Sequence, residues 1–151
     1  RSLDEKWIYK YDAKGNRIER SEYDSDGSLN WKYIFKYDNK GNNIESTRYN
    51  SDGSLNLKWI YKYDNKGNKI EHGYYPHGNL LEKWIYKYDD KGNRIEKSRY
   101  ISDGSLGDNL KTEKSYEYKY EYDKQGNWIR RIEFEYGKPA SISEREFEYY
   151  E

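Results

Sequence analysis

The chain has 151 residues, of which 33% are hydrophobic and 37% charged, and its 28 Lys and Arg are balanced by 28 Asp and Glu. That balance argues against a bulk pull towards nucleic acid or an anionic membrane surface, and no apolar run approaches the roughly 18 residues of a membrane-spanning helix. Cysteine is absent, which excludes disulfides, thiolate metal sites and cysteine nucleophiles. Aromatic residues make up 19% of the chain, with 20 Tyr and 5 Trp, whereas disordered chains are poor in aromatics. Order is therefore expected from amphipathic rings and long charged stems, with little aliphatic core, in a single domain over residues 1–151.

Read along the chain, the pattern Tyr-Asp-x-Lys-Gly-Asn begins at Tyr11, Tyr37, Tyr63 and Tyr88, and a variant with Gln at the fourth place begins at Tyr122. The spacings are 26, 26, 25 and 34 residues. A period of this size marks a repeat architecture, in which each unit needs its neighbours to bury a face.

The segment before each Tyr-Asp alternates with period two. Leu3, Trp7, Tyr9 and Tyr11 share one parity in the first copy. In the second, Leu29, Trp31, Tyr33, Phe35 and Tyr37 oppose Asn30, Lys32, Ile34 and Lys36. The third has Leu55, Leu57, Trp59, Tyr61 and Tyr63, the fourth Leu80, Trp84, Tyr86 and Tyr88, and the fifth Leu110, Tyr116, Tyr118, Tyr120 and Tyr122. Strict alternation rich in Tyr, Trp, Ile and Phe predicts strands.

Each Asp-x-Lys-Gly, as at Asp12–Gly15, fits a type I turn closed by a left-handed Gly. The Ser-Asp-Gly-Ser segments beginning at Ser25, Ser51 and Ser102 read as a second set of turns. Pro76-His77-Gly78-Asn79 and Gly137-Lys138-Pro139 occupy equivalent places. Gly104 to Asn109 is a longer insertion that accounts for the 34-residue spacing.

The return strands are harder to place. Ile18 and Tyr23 have opposite parity, as do Ile44 and Tyr49, Ile70 and Tyr75, and Ile95 and Tyr100, so neither face is cleanly apolar unless a bulge intervenes. Pairing Asp12 with Asn16 sets Tyr9 opposite Glu19 and Ile8 opposite Arg20. Aromatic strands then alternate with strands of long charged side chains, whose stems can cover rings and whose cations can stack on them. The expected fold is all-β: an elongated antiparallel meander of about eleven strands built from β-hairpin repeats, as an open single twisted sheet or, alternatively, a curled or barrel-like one.

The Tyr-Asp-x-x-Gly units, over about residues 6–136, resemble the YD repeats of Rhs-type proteins and the short Tyr/Gly repeat proteins common in Bacteroidetes. This chain continues Gly-Asn-x-Ile where those repeats usually continue Gly-Arg-Leu. The resemblance implies hairpins stacked edge to edge and a secreted, periplasmic or cell-surface bacterial setting. It carries over no catalytic residue.

Three groups of residues suggest chemistry. Asp24 to Ser28 is similar to the start of a calcium loop, but the twelfth place, where such a loop needs a bidentate Glu, is Phe35; it reads as a turn, and no metal or cofactor is expected. His72 and His77 lie in or near one atypical turn without the partners of a catalytic or metal site, and read as surface histidines. Glu144, Glu146 and Glu148 recur with surface spacing, and little material exists for the apolar pocket that a glycosidase acid needs. The tryptophans Trp7, Trp31, Trp59, Trp84 and Trp128 read as recurring at equivalent repeat positions. Such a ring ladder holds a sheet together, and it can also stack sugar faces or grip a peptide. The candidate binding residues are accordingly Trp7, Trp31, Trp59, Trp84, Tyr61 and Tyr86. The expected function is a non-catalytic binding or structural module for a polysaccharide or a protein, with self-association through sheet edges or a face. An immunity or antitoxin-like protein is the alternative, and a glycosidase is disfavoured.

Overall fold

The computed structural model describes residues 5–103 and 110–149. The readings that involve Leu3 and the Gly104–Asn109 insertion fall outside the described residues. Eleven strands run in chain order: β1 (Glu5–Tyr11), β2 (Arg17–Asp24), β3 (Leu29–Tyr37), β4 (Asn43–Asn50), β5 (Leu55–Tyr63), β6 (Lys69–Pro76), β7 (Glu82–Tyr88), β8 (Arg94–Ser102), β9 (Leu110–Tyr122), β10 (Trp128–Glu135) and β11 (Lys138–Glu144). They form one antiparallel sheet in which spatial order equals sequence order, with β1 and β11 at opposite edges. The sheet is open, as the repeat predicts, and the barrel-like alternative is set aside.

The predicted turns are made by their own side chains. Asp12 accepts Gly15 N–H at its carbonyl (3.1 Å), and its N–H donates to the Asn16 carbonyl (2.9 Å). Its carboxylate accepts from the Lys14 and Asn16 backbone amides and from the Asn16 side chain. The same set recurs at Asp38 and Asp64. Gly15 sits at φ +83°, where only Gly is unstrained. The turns at Asp24 and Asn50 share this backbone pattern, with Gly27 and Gly53 donating back across three residues.

One turn departs from the expectation. The last hairpin bends at Tyr136 (φ 51°) and Gly137 (φ 74°), while Lys138 and Pro139 already belong to β11. Two successive positive φ angles make a primed hairpin turn, the type whose twist matches its strands. His77 (φ 49°) and Gly78 (φ 88°) do the same before β7.

The parity conflict of the return strands is resolved by bulges. Lys10 pairs with Glu19 but Tyr11 pairs with Arg17, so Ile18 is an extra residue with no partner. Ile44, Ile70, Ile95 and Ile129 are extra residues in the same way. At the other end of the unit, Asn30 and Asn56 are extra between Tyr23↔Leu29 and Glu22↔Trp31, and between Tyr49↔Leu55 and Arg48↔Leu57. The register therefore differs from the sequence expectation: Tyr9 faces Arg20, not Glu19, and Ile8 faces Ser21, not Arg20.

Among the described residues Tyr118, 7% exposed, is the one buried large apolar side chain. The sheet is a single layer, and its stability is carried by neighbouring strands. On one face, Ser21, Thr47, Gly73 and Ser98 form buried small positions on the return strands. Beside them run ion-paired groups: Lys36–Glu45–Lys58 (2.9 and 3.4 Å) and Lys62–Glu71–Lys83 (3.0 and 3.2 Å), with Lys10–Glu19 (2.9 Å) and Lys87–Glu96 (2.6 Å) at corresponding places. The other face carries the tryptophans and most of the rings, while Tyr23, Tyr49, Tyr75 and Tyr100 stand opposite lysines on this one.

Candidate functional site

The two faces treat their cations differently. Desolvation pushes the Glu45 carboxyl up, but Lys36 and Lys58 outweigh it and hold the group below its ordinary value; Glu71 is held down in the same way by Lys62 and Lys83. On the ring face, Arg17, Arg20, Arg48, Lys69 and Lys97 lie over aromatic rings, and no ion pair to them is found among the described residues. Arg20 is the clearest case. Its guanidinium is 4.3 Å from the Trp7 centroid and 5.1 Å from that of Trp31, so one cation serves two tryptophans. Lys97 bridges Trp84 (4.2 Å) and Tyr116 (5.4 Å), and Arg94 bridges Tyr86 (5.8 Å) and Tyr118 (5.1 Å). Each such contact contributes about 0.5–1 kcal/mol at an exposed site. Desolvation, followed by repulsion from Arg94, lowers the Lys97 ammonium below its ordinary range.

The rings form two main groups along this face. Trp7 meets Trp31 edge-on at 5.3 Å, Trp31 meets Tyr33 at 5.2 Å, and Tyr33 stacks on Trp59 at 6.3 Å. Trp59 continues to Tyr74 at 5.7 Å. In the second group, Tyr61, Trp84 and Tyr86 surround His72 at 6.2, 6.3 and 6.0 Å. The six candidate residues are all partly exposed. Trp7, Trp31 and Trp59 share the first group, and Tyr61, Trp84 and Tyr86 share the second.

The tryptophans are not equivalent in the way the repeat suggests. Trp7, Trp59 and Trp84 each precede an Ile and occupy one repeat position, where the second copy has Tyr33. Trp31 sits two residues earlier, opposite Glu22, in the place that Leu57 holds opposite Arg48. Trp128 is on a return strand opposite Tyr122, where other copies have Arg17 or Lys69. Both still face the rings, because alternation along the strand preserves the side.

His72 is also relocated. It lies inside β6, in the middle of the second ring group, and its Nδ1 is 3.1 Å from the Tyr86 hydroxyl. Burial first, then Lys69, lowers its pKa and favours the neutral ring. His72 occupies the repeat position of Arg20, Ser46 and Lys97. That position changes type from copy to copy while its surroundings repeat, and this is the sequence signal that could have drawn attention to it.

The acidic turns use their oxygens internally. Asp24 and Asp26 both accept from the Ser28 amide, at 3.0 and 2.8 Å. Asp26 raises the pKa of Asp24, while Asp24 and Ser28 hold Asp26 at about 2. Among the described residues no cluster of three or more His, Cys, Asp or Glu side chains could hold a metal. Glu144 lies 3.6 Å from Arg130. Among the described residues no helix is long and apolar enough to cross a membrane.

A family model described as "Protein of unknown function (DUF2963)" matches residues 28–74, which run from the turn before β3 into β6. No curated protein matches the chain. Among solved structures, TcdB2-TccC3 without its hypervariable C-terminal region aligns over 87% of this chain at 16% identity and a TM-score of 0.46. The chain spans 8% of that protein's length. A protein of unknown function from Bacteroides fragilis NCTC 9343 aligns over 93% of both chains, at 16% identity and a TM-score of 0.30.

Proposed function

We propose that this module of repeated β-hairpins is a non-catalytic bacterial binding module of the YD-repeat type, acting outside the cytoplasm, and that its ring-bearing face engages a polysaccharide or a protein. The observation that supports the reading is a face of partly exposed rings interleaved with cations, on a ladder of regular spacing; Arg17, Arg20, Arg48, Lys69 and Lys97 have no ion-pair partner among the described residues, while Arg99 over Trp84 is paired with Glu82 and Glu113. Flat rings present apolar area to sugar faces or to apolar side chains, and the free N–H groups of the cations orient polar groups beside them. The opposite face, with its lysines paired to glutamates, offers less of both.

The test is a binding screen of the protein against polysaccharide and protein panels, repeated with Trp59→Ala and Trp84→Ala. Both variants are expected to remain folded by circular dichroism and to bind any ligand found at least tenfold more weakly, a loss within the roughly 1–3 kcal/mol of a ring-stacking contact. Unchanged binding by both variants would move the site off this face.

A further inference from the structure

Each return strand sets three side chains opposite three rings of the strand before it. On β2 these are Arg17, Arg20 and Glu22, on β4 Asn43, Ser46 and Arg48, and on β6 Lys69, His72 and Tyr74. On β10 they are Trp128, Arg131 and Glu133. On β8 they are Arg94, Lys97 and Arg99, opposite Tyr88, Tyr86 and Trp84, so β8 alone among the described return strands is cationic at all three places. The next strand adds Lys114, which stands opposite Arg99.

The carboxylates in reach do not balance this charge. Arg99 is paired with Glu82 at 2.6 Å and also with Glu113. Arg94 and Lys97 have no ion pair among the described residues. The Arg94 Nε has no hydrogen-bond partner there, and one terminal nitrogen donates to the Tyr118 hydroxyl at 3.5 Å. At Lys97 the charges of Arg94, Lys114 and Arg99 oppose that of Glu133.

The ring faces around these cations are already in use. Lys97 lies 4.2 Å and Arg99 5.6 Å from the Trp84 centroid, and His72 stacks on Trp84 and Tyr86 at 6.3 and 6.0 Å. Arg94 lies over both Tyr86 and Tyr118. A ring whose faces hold cations offers a ligand its edge, the positive end of its quadrupole. Single-stranded nucleic acid binds by stacking bases on free ring faces. An added peptide strand needs a sheet edge to satisfy its backbone, and this cluster stands on a face between paired strands. A polysaccharide needs neither, because its hydroxyls both donate and accept, and acidic sugars add carboxylates.

We propose that the Arg94–Lys97 cluster on β8 is a carboxylate-binding subsite for an acidic polysaccharide, whose carboxylate groups pair with Lys97 and Arg94 beside Trp84, Tyr86 and Tyr116. The inference rests on the ring-bearing face being the binding surface and adds the charge of its ligand. Charge-assisted hydrogen bonds, and not ring stacking, carry binding at β8.

The full chain is titrated by calorimetry with an oligogalacturonate and with the same oligomer after reduction of its carboxyls to alcohols. The protein is prepared as the parent and as Arg94→Gln, Lys97→Gln and Lys97→Arg. Lys36→Gln, which removes an ion-paired lysine from the opposite face, is the control. Saturable binding of the acidic oligomer is expected, with the reduced oligomer weaker by about tenfold or more, the scale of a lost hydrogen bond to a charged group. Arg94→Gln and Lys97→Gln are each expected to cause a similar loss with an unchanged circular dichroism spectrum, while Lys97→Arg and Lys36→Gln keep the parent affinity. No saturable binding of the acidic oligomer, equal binding of the two oligomers, or an equal loss in Lys36→Gln would overturn the proposal. So would tighter binding of oligoglutamate or oligothymidylate than of the oligogalacturonate. A neutral polysaccharide whose binding is lost in Trp59→Ala but kept in Lys97→Gln would overturn it while leaving the ring-face reading in place.

Discussion

The Tyr63 hydroxyl donates to the backbone carbonyl of Asn43 at 3.0 Å and joins the turn end of one hairpin to the next. The β4–β5 ladder ends at Glu45↔Ile60, so the Asn43 carbonyl lies beyond its last pair. Tyr37 serves Arg17 and Tyr88 serves Lys69 in the same way, each at 2.9 Å. Tyr37, Tyr63 and Tyr88, each the Tyr of a Tyr-Asp pair, thus close a ladder that their strands can no longer continue. In β9 this role passes to Tyr120, which bonds the Arg94 carbonyl. Tyr122 extends two residues further and reaches the Asp89 carboxylate at 2.7 Å.

Tyr63→Phe is expected to lower stability by about 0.5–1.5 kcal/mol, the net worth of one hydrogen bond. Tyr11→Phe, at an exposed ring with no earlier hairpin beside it among the described residues, is expected to stay within about 0.5 kcal/mol of the parent. Urea unfolding of the two variants makes the comparison; equal losses would refute the bridging role.

Gly67, at φ +89°, has open space where a Cβ would stand, so its requirement is conformational and not steric. Gly67→Ala is expected to cost about 1–2 kcal/mol, because a non-Gly residue is strained there. Asn65→Ala in the same turn is expected to cost far less, and thermal melts separate the two. If both variants melt alike, the left-handed turn is not what holds this corner.

Much of this fold is written in local residues. Alternation and the Asp-x-Lys-Gly turns lead directly to eleven strands in sequence order, because each pairing is made between neighbours along the chain. The bulges are less legible. Ile18 looks like a core residue by type, yet it is the unpaired extra residue, and only the pairing of Tyr11 with Arg17 reveals this. Ser46 reads as an exposed polar residue but is 8% exposed and donates to Asn43 Oδ1. Trp31 and Trp128 reach the ring face from non-equivalent repeat positions, and His72 joins it from a strand that looked like part of a turn. These placements depend on what lies on the adjacent strand, which local pattern does not encode.

Acid should weaken the turns. The carboxyls of Asp12, Asp38 and Asp64 are held below their ordinary values, first by the side-chain amides of Asn16, Asn42 and Asn68 and then, against some desolvation, by turn N–H groups. A folded value below the unfolded one near about 3.9 gives stability that is present above that pH and lost as pH falls through the folded value. The urea midpoint is expected to fall on acidification below about pH 4, and Asn68→Ala is expected to flatten part of that fall. A midpoint independent of pH over this range would contradict the turn assignment.

At the alkaline end, desolvation and then the Asp89 carboxylate push the Tyr122 phenol up to about 12. The raised folded value means that its contribution is complete below the unfolded value near about 10 and disappears as pH rises through the folded one. Spectrophotometric titration should show one late-ionising tyrosine that is missing in Tyr122→Phe. A parent and variant with superimposable late phases would rule out the Tyr122–Asp89 contact.

All five tryptophans are partly exposed. Acrylamide should therefore quench most of the emission in the free protein. Trp59→Ala should cost less than the about 3–5 kcal/mol of a fully buried large aromatic ring. Uniformly protected, blue-shifted emission would mean that the face is packing and not surface.

The strict neighbour-to-neighbour order has a mechanical consequence. Since β1 and β11 lie at opposite edges and each strand pairs only with the strands adjacent in sequence, tension applied to the two ends loads one row of hydrogen bonds at a time. The sheet should peel in successive hairpin-sized steps, each releasing roughly 90 Å of chain for a unit of about 26 residues at an extended reach of about 3.5 Å per residue. An ordinary globular core breaks in one event and then offers no resistance. This sheet would yield gradually, as an extensible tether, and would re-form from whichever hairpins remained.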